Sequence, residues 1–200
     1  DHVGGVRSVA KGLNIPVYGT AGSIRASKQA LQGLAEVLEL PSSNSVFIGD
    51  LEIEPVTVPH DARQPCQYII NGSNQRLGML TDIGHITPFV LEHYKNLDGF
   101  VLEFNHDTSL IKKSAYPPAL QERIAGAYGH LSNSQSENFL KKLDLSQLQF
   151  LVAAHLSQQN NSQEHVRQCL DRVLSSEVVR YIASQEEASP WFDLHIGKIA

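Results

Sequence analysis

Cysteine is nearly missing: among 200 residues only Cys66 and Cys169 occur, far apart and in no CxxC pair. That pattern supports neither a disulfide framework nor a thiolate zinc site, and a reducing, cytoplasmic compartment is the expected home. Aromatic residues make up 7% of the chain and nowhere interleave with basic residues in the manner that stacks single-stranded bases, so sequence-specific recognition is not expected. No apolar run approaches the roughly 20 residues needed to cross a bilayer, which removes a membrane from the expected partners. Residues 1–20 also lack the basic, apolar and small-residue order of a secretory signal. Charged residues are few (18%) and the formal net charge is −5, which excludes a uniformly basic nucleic-acid coat but leaves room for a local positive cleft or bound cations. What remains is 42% hydrophobic, enough for one sizeable core, and a single domain is expected over residues 1–200. The chain opens on Asp1-His2-Val3-Gly4-Gly5, with no Met, as if inside a loop-to-helix passage. An upstream segment is therefore expected to be missing.

Periodicity predicts a mixed architecture of sheets covered by helices. Ile15–Thr20 reads as a strand after a basic amphipathic helix, and a second helix starts near Ala21. Ser45–Gly49 and Ile53–Pro59 read as strands, the latter alternating Glu54, Val56, Val58. Tyr68–Gly72 and Arg76–Leu80 form a hairpin across Asn71-Gly72-Ser73-Asn74, where Asn-Gly favours positive backbone angles. Further strands are expected at Gly99–Glu103, Phe150–Ala154 and in the tail from Ser176. Helices are expected over 86–95, 117–127, 132–143 with Ser132 as cap, and 161–174.

Three apolar strands stop at residues able to bind a metal: Val56-Thr-Val-Pro-His60, Gly78-Met-Leu-Thr-Asp82 and Phe150-Leu-Val-Ala-Ala-His155. Strand ends are held rigidly, so groups just beyond them converge at little ordering cost. Asp1-His2 adds two more ligands. Imidazole and carboxylate together suit zinc, manganese or iron, and a carboxylate can bridge two ions. Singly, each residue has a blander reading, His60 and His155 as hydrogen-bonded structural groups and Asp82 as the cap of a helix near Ile86. It is their joint appearance that argues for a site.

Asp1-His2-Val-Gly-Gly resembles the second half of the His-x-His-x-Asp-His motif of the metallo-β-lactamase superfamily. Pro59-His60-Asp-Ala, Thr81-Asp82-Ile-Gly-His85, Leu102-Glu-Phe-Asn-His-Asp107, Gly129-His-Leu-Ser-Asn133 and Ala154-His-Leu-Ser-Gln-Gln-Asn-Asn161 resemble its remaining motifs in order. Together, over most of residues 1–175, they are similar to the YycJ/WalJ branch, a group related to ribonuclease Z-like phosphodiesterases. The resemblance implies an αββα sandwich, here lacking the N-terminal part of its first sheet, with two divalent ions, zinc or manganese, at one edge.

It also implies ligands. One ion would be held by Asp1, His2 and His155, with Asp82 bridging to a second held by His60 and two histidines that would precede Asp1. This chain would then keep one complete ligand set. The implied activity is hydrolysis of a phosphodiester, with nucleic acid as the expected substrate and partner, by a water activated between two metals and oriented by Asp1. His130 would bind phosphate or protonate the leaving oxygen. Glu103 and His106 are expected to support the ligands, and Ser132 and Asn133 to support them or contact substrate. A glyoxalase-type thioester hydrolase and an inactive fragment of such an enzyme are the alternatives. His85 is expected to line the pocket or cap a helix, whereas His93, His165 and His195 look like ordinary surface or helix positions.

Overall fold

The computed structural model describes residues 2–42 and 44–195. It begins with helix α1 (Val6–Leu13), strand β1 (Val17–Gly19), helix α2 (Ala21–Ala26) and strand β2 (Val37–Glu39), with β1 and β2 paired in parallel. A seven-stranded sheet follows, in the order β3 (Val46–Ile48), β4 (Leu51–Thr57), β5 (Cys66–Gly72), β6 (Gln75–Leu80), β7 (Gly99–Glu103), β8 (Phe150–Ala154) and β9 (Val179–Ile182). Its first four strands are antiparallel neighbours and its last four are parallel. Parallel neighbours require crossovers, and helices supply them: α3 (Pro88–His93), α4 (Thr108–Ile111), α5 (Pro118–Ala125), α6 (Asn133–Leu140) and α7 (Gln163–Val173). This is the mixed α/β architecture the motifs imply.

The expected strands and helices stand, with shifted ends. Strand β2 and helix α4, of three and four residues, were not anticipated. The β5–β6 turn needs a correction. Gly72 is still paired, with Gln75, and the positive φ values fall on Ser73 (52°) and Asn74 (63°) rather than on Asn71-Gly72. Capping also differs in one place: Thr87, not Asp82, caps α3, its Oγ1 accepting from Val90 N.

The strand period of two puts Ile69, Leu80, Phe100, Leu102, Leu151 and Ala153 into one buried layer. Val90, Tyr94, Phe139, Leu140, Val166 and Leu170 from the helical side close over it. Tyr94, Phe100 and Phe139 meet with ring centroids 5.6–6.5 Å apart, and the buried Tyr94 hydroxyl donates to Met79 O. This core fixes the sheet, and the sheet fixes the edge where chemistry is possible.

Candidate metal centre

Strands β6, β7 and β8 run in parallel, so their carboxyl ends share one edge of the sheet. Strand β4 is antiparallel to β5, which is antiparallel to β6, so β4 also ends there. The loops leaving β4, β6 and β8 carry His60, Asp82 and His155, and the last residue of β7 is Glu103, so all four meet at one place, the edge at which open α/β sheets commonly bind ligands. Asp82 sits at the middle. Its Oδ1 lies 3.8 Å from His60 Nε2 and 3.6 Å from His155 Nε2, and its Oδ2 lies 3.3 Å from His2 Nε2. Two donors about 2.0–2.1 Å from one tetrahedral ion lie about 3.3 Å apart, close to these separations, so the donor set fits zinc or a similar cation. Asp82, Glu103, His130 and His155 also each offer an atom within 4.8 Å of the others.

Glu103 is the group on which the centre is built. It is fully buried at the last position of β7. Its Oε1 accepts from His130 Nδ1 (2.9 Å), His155 Nδ1 (2.7 Å) and Asp82 N (3.1 Å), while Oε2 accepts from Leu131 N (2.8 Å). Burial by itself would raise this carboxyl's pKa. The hydrogen bonds from the two histidines, the charge of His130 and the Leu131 N–H outweigh it and bring the value down to about 2. With its lone pairs so occupied, Glu103 orients the two imidazoles and is poorly placed to bind a cation itself. A carboxylate that fixes Nδ1–H of an imidazole exposes Nε2 as a lone pair, the usual device around metals. His60 achieves the same by donating from Nδ1 to Gly129 O at 3.0 Å. Burial would lower the pKa of His155, but the Glu103 hydrogen bond and the carboxylates of Asp82 and Glu103 raise it.

The backbone bends to deliver these groups. Asp82 and His155 both adopt left-handed conformations, with φ of 53° and 60°. Such angles cost a non-glycine residue about 1–2 kcal/mol and persist where surrounding bonds over-determine them. Here Asp82 N–H is held by Glu103, and His155 O accepts from Asn105 Nδ2 at 3.0 Å. Gly129 is required for close approach, since a Cβ there would lie 2.2 Å from the carbonyl oxygens of Arg123 and Ile124. That contact seats the next residue, His130, whose ring centroid is 5.1 Å from those of both His60 and His155.

Asp1 lies outside the described residues. Of the other expected site residues, the structure gathers His2, His60, Asp82, Glu103, His130 and His155. His106 is buried and burial lowers its pKa, yet its Nδ1 has no hydrogen-bond partner among the described residues. Ser132 caps α6 in a reciprocal capping box with Gln135, and Asn133 exchanges amide hydrogen bonds with Asn161, so both side chains are engaged in the frame. His85 donates from Nδ1 to Ala127 O at 2.8 Å. Asn105 and Asn161 are frame residues that sequence reasoning missed. Asn161 ties the His155 loop to Phe104 O as well as to Asn133. The available signal was the density of Asn within strand-end motifs, since an Asn amide can satisfy loop backbone groups on both sides. Asp61 was also missed: it binds Arg123 Nε at 2.6 Å, and that hydrogen bond holds its carboxyl below the usual range.

A family model described as a Beta-lactamase superfamily domain matches residues 1–155. The chain is 27% identical over 176 residues to an exodeoxyribonuclease YycJ of Bacillus anthracis, covering 87% of this chain and 67% of that protein. It is likewise 27% identical over 172 residues to an exodeoxyribonuclease WalJ of Streptococcus pneumoniae serotype 2, covering 82% and 62%. The chain thus spans about two thirds of the length of these relatives. The metallo-beta-lactamase fold protein YhfI from Bacillus subtilis superposes with a TM-score of 0.65 at 14% identity, over 90% of this chain and 68% of that one. Fold, order of motifs and family match agree: the chain belongs to the beta-lactamase superfamily, as a hydrolase of the metallo-β-lactamase fold.

Proposed function

We propose that this protein is a metal-dependent phosphodiesterase acting on nucleic acid. The observation that carries the reading is the Asp82 carboxylate, faced by the Nε2 atoms of His2, His60 and His155 at 3.3–3.8 Å. The names of the 27%-identical relatives supply the substrate class. Asp82, His2 and His155, with Asp1, would hold one divalent cation, and His60 with Asp82 would contribute to a second. Bound there, such ions lower the pKa of water and neutralise charge on a phosphoryl group.

The chain's own residues do the rest. Glu103 keeps His155 and His130 in the tautomer that carries the proton on Nδ1, so their Nε2 atoms face outward without reorganisation when substrate arrives. His130, a fifth exposed, binds a phosphate oxygen or delivers a proton to the leaving oxygen from Nε2 once protonated. Asp1, by its place in the family motif, would orient the attacking water.

Bis-p-nitrophenyl phosphate, duplex and single-stranded DNA, and S-lactoylglutathione, each assayed with added manganese or zinc, test the reading. Phosphodiester cleavage abolished by a chelator is expected. Cleavage of the thioester alone would overturn it.

A further inference from the structure

We infer that the cavity beside His155 receives the nucleoside adjoining the scissile phosphate; this rests on the phosphodiesterase reading and extends it. The cavity holds about 340 Å³, within the range of ligand pockets, and shares His155 with the metal centre. One wall is the loop from Leu156 to the start of α7, and the other is the segment 183–186 that follows β9.

Its chemistry selects a neutral, hydrogen-bonding group. No Lys or Arg lines it, and the one charged residue, Glu186, is a carboxylate that disfavours a further phosphate. Ser157, Asn161, Ser162 and Ser184 are engaged in the frame, for example Ser157 Oγ with Asn160 N and Ser162 Oγ with His165. By contrast, the exposed side-chain amides of Gln158, Gln163 and Gln185, which also line the cavity, have no protein hydrogen-bond partner among the described residues. Each amide offers a donor beside an acceptor, the pattern that matches base edges and sugar hydroxyls. No Phe, Tyr or Trp lines the space, so recognition there works chiefly through polar edges. A phosphate seated at the metal centre would therefore place its neighbouring nucleoside where these amides stand ready.

Uncharged thymidine, titrated into the isotope-labelled chain and followed by amide NMR shifts, tests this apart from any catalysis. Shifts concentrated in residues 157–163 and 184–186 are expected. In the exposed-residue variants Gln163→Ala and Gln185→Ala the dissociation constant should rise about two- to tenfold each, the worth of one neutral hydrogen bond. Absence of shifts in both segments, or equal affinity in the double variant, overturns the inference. If thymidine binds as described while no phosphodiester is cleaved in the preceding assay, the subsite stands and the phosphodiesterase reading fails.

Discussion

Glu103 carries more of the centre than any ligand. Its oxygens accept from two imidazoles and two backbone amides, so Glu103→Gln would turn one acceptor into a donor facing N–H groups. Metal affinity should fall about 10–100-fold, as for other residues that orient ligands, measured by competition with a chromophoric chelator on protein shown to be folded. His130→Ala separates a catalytic from a ligating role: turnover of bis-p-nitrophenyl phosphate should drop by about 10²–10⁴ with bound metal unchanged. Loss of metal in that variant would make His130 a ligand instead. Sequence made the candidate ligands visible because His60, Asp82 and His155 interrupt apolar strands at their ends. Glu103 could be placed near the site only by motif. Its role depends on β7 lying between β6 and β8, which is topology. A carboxylate closing a wholly apolar strand does, however, announce that donors from elsewhere must satisfy it.

At the scale of elements, α6 and α7 are clamped by Glu137, which accepts from Arg172 and from Lys141. The Arg172 hydrogen bond, opposed by burial and aided by Lys141, brings the Glu137 carboxyl down to about 2. Because the folded value lies below the unfolded one, near 4.5, the clamp stabilises fully above that pH and is lost as pH falls toward 2. Both cations are half exposed, so solvent screening reduces the contribution to on the order of 2 kcal/mol at pH 7. Urea unfolding should show Glu137→Gln destabilised by that amount at pH 7 and matching the parent near pH 2. Ser132→Ala, which removes the α6 cap, should cost about 1 kcal/mol at both. Long apolar strands and the capped helices were legible from their periods. The short β2 and α4 were not, since three or four residues complete no period, and the β5–β6 turn slid because a hairpin's register depends on pairing that one strand alone does not reveal.

For the molecule as a whole, one buried face of the seven-stranded sheet supports the edge on which the site stands. Phe100→Ala, at a fully buried position between Tyr94 and Phe139, should cost about 3–5 kcal/mol and loosen the site only through global unfolding. Among the described residues no helix is long and apolar enough to cross a membrane. Sheet order could not be read along the chain, because the switch from antiparallel to parallel pairing at β6–β7 is set by where α3 carries the chain, yet that switch brings Asp82, Glu103 and His155 together. The most direct measurement is metal content by mass spectrometry after equilibrium dialysis of the chain against zinc or manganese. At least one ion per chain should be retained, and Asp82→Ala should lose it. An Asp82→Ala protein that holds as much metal as its parent would contradict the account.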